Sequence, residues 1–146
     1  PSVNDWLNKK LKRNETMPFA PVTLKEFSSK CYEKLEGAEY ASKFMTITFN
    51  CNEWMKKNCP AVVHLDNTAR PQLITKEENP SYYKILKEYY KLTKLPVLIN
   101  TSFNMHEEPI VCTPHDALRA FQESGLKYLA IENYLVINDR DDVLNT

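Results

Sequence analysis

The chain has 146 residues, of which 42% are hydrophobic and 26% are charged, a balance typical of one folded domain and not of a disordered segment. Its 19 basic residues match its 19 acidic ones, which argues against capture of nucleic acid or of an anionic membrane by bulk charge. No apolar run approaches the ~18 residues of a membrane span, and the first residues lack the apolar core of a signal peptide.

The first half of the chain predicts two helices and three short strands. Apolar residues at helical spacing predict an amphipathic helix over residues 3–12, and Pro18 and Pro21 favour an extended segment after it. A second helix is expected over Leu24–Lys34, with Gly37 just beyond its end. The predicted strands are Phe44–Phe49, Ala61–Leu65 and Gln72–Ile74.

The second half predicts two helices separated by a buried strand, Pro96–Ile99. Asn79 and Pro80 are typical of a helix start, as N-cap and first helical residue. Thr113 is the expected cap of the last helix, and Tyr128–Ile137 is the expected final strand. Several links between strands are too short for a crossover helix. We therefore predict the α+β (mixed α/β) class, with a twisted mixed sheet flanked by helices.

The glycine and cysteine counts restrict the chemistry. With only 2 glycines, the chain has no glycine-rich phosphate loop, so a bound phosphate needs side chains or a helix N-terminus. The 4 cysteines form no CxxC pair, and the sequence shows no secretory signal. Both observations predict reduced, buried thiols in a cytoplasmic protein. Because the chain begins at Pro1 without a methionine, we expect it to be part of a longer protein.

Three segments carry candidate functional residues. The first is the basic run Lys9–Arg13, whose cations suit a phosphate or carboxylate, or form an ordinary solvated helix end. The second is HLDNTARPQ, in which His64 and Asp66 are expected on one face of a strand, with Arg70 and Gln72 on one face of the next. This segment is either a strand-end site or a hairpin tip. It offers no third ligand at metal-site spacing, so no metal is expected there.

The third segment, Asn100–Asn104, directly follows the predicted buried strand. Hydroxyl and amide side chains in that place suit a phosphate, a ribose or an acyl group, and they equally suit a turn. Glu107 and Glu108, which follow, are expected to be solvated, and Cys112 is expected to be a packing residue.

These segments belong to three longer blocks that occur in one order: LKRNETMPFAPVTL, AVVHLDNTARPQLI and LPVLINTSFNMHEEPIVCTPHDALRAF. With the closing GLKYLAIENYLVI, they resemble the C-terminal domain of the carbamoyltransferase family. That family includes nodulation-factor, cephalosporin and tobramycin O-carbamoyltransferases. The domain is in turn similar to the YrdC fold, which shares its basic KR pair and its TSxN motif. In this chain the two motifs match Lys12 with Arg13, and Thr101, Ser102 and Asn104.

The resemblance implies an adenylating chemistry. A YrdC-like domain would take ATP, with its Mg²⁺, and carbamoyl phosphate, and would form carbamoyl-adenylate and pyrophosphate. A metal-bearing N-terminal domain of the same protein would then pass the carbamoyl group to a hydroxyl of a sugar or small molecule. Residues 1–146 are thus expected to be a single C-terminal domain that does not complete the transfer alone. No nucleic acid or membrane partner is expected.

The resemblance also assigns roles to residues. Lys12, Arg13 and Arg70 are the expected catalytic cations for phosphate or carbamoyl oxygens. Binding of ATP or carbamoyl-adenylate would fall to hydroxyl, amide and imidazole groups, namely His64, Thr68, Thr101, Ser102 and Asn104. These groups, from three distant stretches of chain, are expected to meet in one nucleotide-sized pocket. Many relatives have glycine where this chain has Asn67, Lys94 and His106. We therefore expect either stiffer loops at these places or a left-handed backbone at Asn67.

Two other functions stay open. The domain is also similar to threonylcarbamoyl-adenylate synthases, which serve tRNA modification, although the HxDxTARxQ block favours the small-molecule carbamoyltransferases. Alternatively, the motifs maintain a non-catalytic interaction or nucleotide-binding module.

Overall fold

A computed structural model of the chain describes residues 2–13 and 19–139, so Pro18 lies outside the described residues. They form two units, one of residues 19–101 and one of residues 2–13 with 102–139. The helices are α1 (Ser2–Lys10), α2 (Ser28–Cys31), α3 (Glu53–Asn58), α4 (Pro80–Thr93) and α5 (Pro114–Ser124). The strands are β1 (Ala20–Leu24), β2 (Phe49–Asn50), β3 (Thr68–Ala69), β4 (Gln72–Ile74), β5 (Val97–Asn100), β6 (Tyr128–Ile131) and β7 (Tyr134–Ile137). The predicted α+β class, with small sheets and flanking helices, is confirmed.

Strand β1 is the centre of a three-stranded mixed sheet in the first unit. It pairs in parallel with β4 on one side and antiparallel with β5 on the other. All five residues of β1 are buried, because both of its faces are covered. Strand β1 is therefore buried along its whole length, without the alternation of a half-exposed strand.

The core of this unit forms between the sheet and α4. Val22, Leu24, Ile74 and Leu86 are its fully buried centre, and tyrosines of α4 pack around them. One polar pair is buried within the unit: the hydroxyls of Thr23 and Tyr32 lie 2.7 Å apart, which satisfies both of them.

Helix α4 has the predicted start. The Asn79 carboxamide oxygen accepts a hydrogen bond from the Tyr82 amide at 3.2 Å, and Pro80 is the first helical residue. The helix ends at Lys94, which adopts the left-handed conformation with φ of 63°. Glycine is the usual residue at such an end, because it lacks the Cβ that makes this conformation costly.

The predicted helix Leu24–Lys34 is wrong in its first part and in its last three residues, because α2 ends at Cys31. Leu24 is the last residue of β1, and only a 3₁₀ turn (Lys25–Phe27) and the four-residue α2 follow it. The apolar residues of this segment do have helical spacing in the sequence, but Leu24 is buried as part of the sheet. Pairing with two neighbouring strands outweighed the local helical pattern.

The predicted strands Phe44–Phe49 and Ala61–Leu65 are also wrong. The first contributes only Phe49 to β2, which pairs with β3. The second begins in a 3₁₀ turn, Pro60–Val62, and continues as an unpaired turn segment. Pro60 fixes φ in the helical range and initiates the turn, and Val62 is buried without strand pairing.

The second unit contains α1, α5 and a β-hairpin. Helix α5 begins with the predicted capping box, in which the side chains of Thr113 and Asp116 bond each other's backbone amides. The predicted single strand Tyr128–Ile137 is two strands, β6 and β7, because the chain turns at Glu132 and Asn133. Cys112 is exposed, contrary to the prediction of a packing residue, and lies in the irregular segment that precedes α5.

Replacing Lys94 by glycine is expected to raise the free energy of unfolding by about 0.5–1 kcal/mol, because glycine removes the left-handed strain at the end of α4. The matched control is Lys91→Gly, inside the same helix, which should lower stability by about 1 kcal/mol. Urea denaturation of both variants measures the two effects. Destabilisation by Lys94→Gly would contradict the strain at this helix end.

Candidate functional site

The HLDNTARPQ segment forms a tight turn in the first unit. The His64 amide donates to the Thr68 carbonyl at 2.7 Å, and the Asn67 amide donates to the His64 carbonyl at 2.9 Å. Asn67 adopts the predicted left-handed conformation, with φ of 65°. His64 and Asp66 are therefore turn residues, and the predicted strand face that they would share does not form.

Side chains within this turn bond one another. The Asp66 carboxylate accepts from the Thr68 amide at 3.0 Å and from the Thr68 hydroxyl at 2.7 Å. These bonds hold the pKa of Asp66 below its ordinary value. The Thr68 hydroxyl also lies 3.2 Å from Nδ1 of His64. Because the single hydroxyl proton goes to Asp66, His64 donates at Nδ1 and presents an unprotonated Nε2.

Arg70 supplies the positive charge of this cluster. Its side chain is exposed, and its charge acts on the His64 ring. The pKa of His64 is lowered first by partial burial and further by Arg70, while Asp66 opposes the shift. At neutral pH the turn therefore presents one cation, Arg70, beside a neutral imidazole that accepts a hydrogen bond.

The sheet brings two of the predicted segments to one of its ends. Strand β1 is parallel to β4 and antiparallel to β5. The first residue of β4 and the last residue of β5 therefore lie at the same end of the sheet. Arg70 precedes β4 and Thr101 follows β5, so both lie at this end. The Asn100 carboxamide donates to the Gln72 carboxamide oxygen at 2.7 Å and ties the two strand ends together. This bond was not predicted, although Gln72 begins one predicted strand and Asn100 directly follows another.

In the second unit, the basic segment is held in a tight helix end. The Arg13 amide donates to the Asn8 carbonyl at 2.8 Å, and the Lys12 amide donates to the Lys9 carbonyl at 3.2 Å. This is a Schellman motif, with Lys12 in the left-handed position at φ of 55°. Lys12 is exposed, whereas partial burial lowers the pKa of Arg13.

The loop that carries Ser102 and Asn104 is attached to this helix end. The His106 amide donates to the Leu11 carbonyl at 3.2 Å. Asn104 donates to the carbonyls of Met105 at 3.0 Å and Glu108 at 2.7 Å, and its oxygen accepts from the Ser102 hydroxyl. The Asn104 amide group thus uses its hydrogen bonds within the loop, which it holds in one conformation.

Arg119 of α5 fixes the other end of this loop. It binds the Glu108 carboxylate through two parallel hydrogen bonds of 3.0 and 2.9 Å and also contacts Glu123 at 3.1 Å. The bond to Arg119 holds the pKa of Glu108 below its ordinary value, and the nearby charge of Lys12 adds to this. Of the two glutamates predicted to be solvated, Glu107 is exposed, whereas Glu108 is half-buried and paired with Arg119. Arg119 was not predicted as its partner, since it lies on α5, 11 residues further along the chain.

The predicted residues therefore fall into two groups. The first unit contains His64, Thr68, Arg70 and Thr101, and the second contains Lys12, Arg13, Ser102 and Asn104. Each group places at least one cation near hydroxyl, amide or imidazole groups, which is an arrangement suited to phosphate or acyl oxygens. That Arg13, Arg70 and Asn104 share one pocket stays a prediction.

The described residues contain neither a metal-binding cluster nor a membrane span. Across residues 2–13 and 19–139, no three histidine, cysteine, aspartate or glutamate side chains are grouped so as to hold a metal ion. Within the same ranges, every helix is too short or too polar to cross a membrane.

The structure is that of an α+β domain whose predicted site residues form two groups of polar side chains, one in each unit. The family model described as "Carbamoyltransferase C-terminus" matches residues 1–138, and the chain belongs to this family.

Two relatives illustrate the similarity. MJ1051, an uncharacterized protein of Methanocaldococcus jannaschii, is 42% identical over 130 residues, covering 89% of this chain and 25% of that protein. Nodulation protein NolO of Bradyrhizobium diazoefficiens is 35% identical over 133 residues, covering 90% of this chain and 24% of its own length. The chain thus spans about a quarter of the length of these relatives.

Replacing Thr68 by valine should release Nδ1 of His64, because the hydroxyl that accepts its proton is lost. We expect the Nδ1–H tautomer to predominate in the unmodified protein at neutral pH and to decline in Thr68→Val. Long-range ¹H–¹⁵N correlation spectra of the imidazole measure this. Thr46→Val, whose hydroxyl bonds the Ala41 carbonyl, is the control. Identical His64 tautomers in all three proteins would contradict the assignment.

Acidification should loosen the loop at residues 102–108. The folded-state pKa of Glu108 lies below its unfolded value of about 4.3, so its stabilising effect is present above that pH. The effect is lost as pH falls through the lower, folded-state pKa.

We expect hydrogen-exchange protection of the His106 amide to fall over that acidic range. Glu108→Gln should show weak protection at neutral pH as well, and Glu107→Gln should match the unmodified protein. Equal protection at neutral pH in Glu108→Gln and the unmodified protein would disprove the role of the Arg119 pair.

Proposed function

We propose that this domain binds ATP and carbamoyl phosphate and forms carbamoyl-adenylate within a longer carbamoyltransferase. The remainder of that protein would carry the carbamoyl group to a hydroxyl of a sugar or other small molecule. Membership of the carbamoyltransferase family supports the transferase class. The observation that carries the proposal is the hydrogen bond between His106 and Leu11, which places the exposed Lys12 beside the loop of Ser102 and Asn104.

The proposed reaction proceeds in two steps. Water releases inorganic phosphate from carbamoyl phosphate and leaves carbamate. A carbamate oxygen then attacks the α-phosphorus of ATP, a new P–O bond forms, and pyrophosphate leaves. Both substrates are anions, so cations must offset their repulsion and the charge that develops on the phosphate oxygens.

The side chains suggest a division of roles. Lys12 and Arg13 would neutralise phosphate oxygens, since the chain has no glycine-rich loop to do so with backbone amides. Arg70 would bind a phosphate or the carbamoyl oxygen. His64, which donates at Nδ1 to Thr68, would accept a hydrogen bond at Nε2 from the carbamoyl amide. Thr68 would thus act by fixing the tautomer of His64.

The loop following β5 would complete the contacts. Thr101 and Ser102 offer hydroxyl groups to the nucleotide or the acyl group. Asn104 would act by shaping the loop, because its amide group bonds within it. Mg²⁺ would enter on the phosphates of ATP, as is usual for this ion, with few ligands from the protein.

Replacing Arg70 by alanine should weaken binding of ATP or of a carbamoyl-adenylate analogue by about 1.5–3 kcal/mol, the magnitude of a charge-assisted hydrogen bond. That loss corresponds to roughly a tenfold to hundredfold higher Kd. Isothermal titration calorimetry measures it. Lys76→Ala, another exposed cation of the first unit, is the matched control and should bind normally. Because Arg70 is exposed, its removal should leave the melting temperature nearly unchanged.

Three results would overturn parts of the proposal. Unchanged affinity in Arg70→Ala removes that residue from the site. Absence of any ATP-dependent thermal shift in the unmodified protein favours a non-catalytic module. Pyrophosphate release with bicarbonate and threonine, but not with carbamoyl phosphate, favours a threonylcarbamoyl-adenylate synthase.

A further inference from the structure

One face of the β6–β7 hairpin is apolar and open to solvent. Tyr128 pairs with Ile137, and Ala130 pairs with Leu135, so these four side chains share one face. All four are exposed, with exposed fractions of 56% for Tyr128, 64% for Leu135 and 53% for Ile137. We call this set the hairpin face.

The opposite side of the hairpin is also largely apolar. Leu129, Ile131 and Val136 are half-buried there, whereas Tyr134, next to the turn, is 75% exposed. Strands with apolar residues on both faces are typical of sheets that are covered on both sides. A two-stranded hairpin alone is marginally stable in water. The sequence of β6 and β7 is therefore that of a covered hairpin, whereas the described residues leave the hairpin face open and cover only part of the other face.

The apolar surface extends from the hairpin face to α5. Ile137 lines an open groove together with Val136 and with Leu118 and Phe121 of α5. Leu118 is 39% exposed, although it lies on an amphipathic helix. The groove is also lined by the polar Gln122 and Asn138 and by the charged Asp139. Only its part next to Ile137, Leu118 and Phe121 continues the apolar hairpin face.

The area of the hairpin face distinguishes between possible occupants. Four side chains with these exposures present on the order of 400 Å². A stable complex between separate proteins buries about 800 Å² on each partner, so this face is too small to hold a second copy of the chain by itself. A covalently linked segment has a high effective concentration and needs less contact area.

We propose that the hairpin face is the docking surface for the remainder of a longer polypeptide that contains this chain. The matching segment makes up 25% of MJ1051 and 24% of NolO, so three-quarters of each relative lies outside it. A face made of four uncharged side chains fits a permanent contact within one protein better than a transient, polar one. This inference uses one part of the proposed function, namely that the domain belongs to a longer carbamoyltransferase.

Thiol labelling of Ala130→Cys tests the proposal, in a Cys112→Ser background that removes the exposed native thiol. The other three native cysteines are wholly or partly buried, and burial raises the pKa of their thiols to about 11 or about 12, so they should react slowly. We expect a maleimide to label the introduced thiol at least about tenfold more slowly in the full-length protein than in the 146-residue chain. Leu92→Cys on α4, at a site 86% exposed, is the accessibility control.

A second variant keeps the test decisive. Leu135→Lys should restore fast labelling of the introduced thiol in the full-length protein, and it should leave the melting temperature of the short chain nearly unchanged, because Leu135 is exposed. Equal labelling in both lengths of protein would overturn the proposal. Protection that appears in the short chain and grows with its concentration would also overturn it, by identifying a second copy as the occupant. The labelling needs no nucleotide, so its outcome is independent of ATP binding.

Discussion

Burial of β1 on both faces is the constraint on which the first unit depends. The strand has no exposed residue and bonds to a neighbour on each side, so its position fixes where β4 begins and where β5 ends. The polar residues next to those two strand ends, Arg70 and Thr101, are brought to one end of the sheet as a consequence. A change that displaced β1 would therefore separate residues that lie about thirty positions apart in the sequence.

Scarcity of glycine shapes both polar groups. Left-handed backbone is needed at several turns, and larger residues adopt it there at an energetic cost. Lys12 ends α1 in this conformation, and Asn67 closes the turn between His64 and Thr68. At Lys12 the same residue both ends a helix and presents a cation. Replacing it by glycine would relieve the backbone and remove the charge, so under the proposed function stability and binding are opposed at this position.

Several side chains that resemble ligand-binding groups bond mainly to their neighbours. Asn104 holds the loop before α5, and the Thr68 hydroxyl lies between Asp66 and His64. Such groups contribute by fixing the orientation of others, and rigid support of this kind lowers the entropic cost of binding. Arg119 also fixes the orientation of another side chain, because it binds Glu108 from helix α5.

Local chemistry in the sequence determined the parts of the fold that need only neighbouring residues. Caps and prolines located α4 and α5, the apolar run located β5, and the motif blocks identified the family. Tertiary structure alone decided that Leu24 ends a strand, that Ala61–Leu65 forms a turn segment and that the last apolar run is a hairpin. Each of these depends on which distant strand offers a partner for backbone hydrogen bonds, and a local apolar pattern does not specify that partner. The pairing of Arg119 with Glu108 could not be predicted for the same reason. The partner of a charged side chain depends on how the chain between the two residues folds.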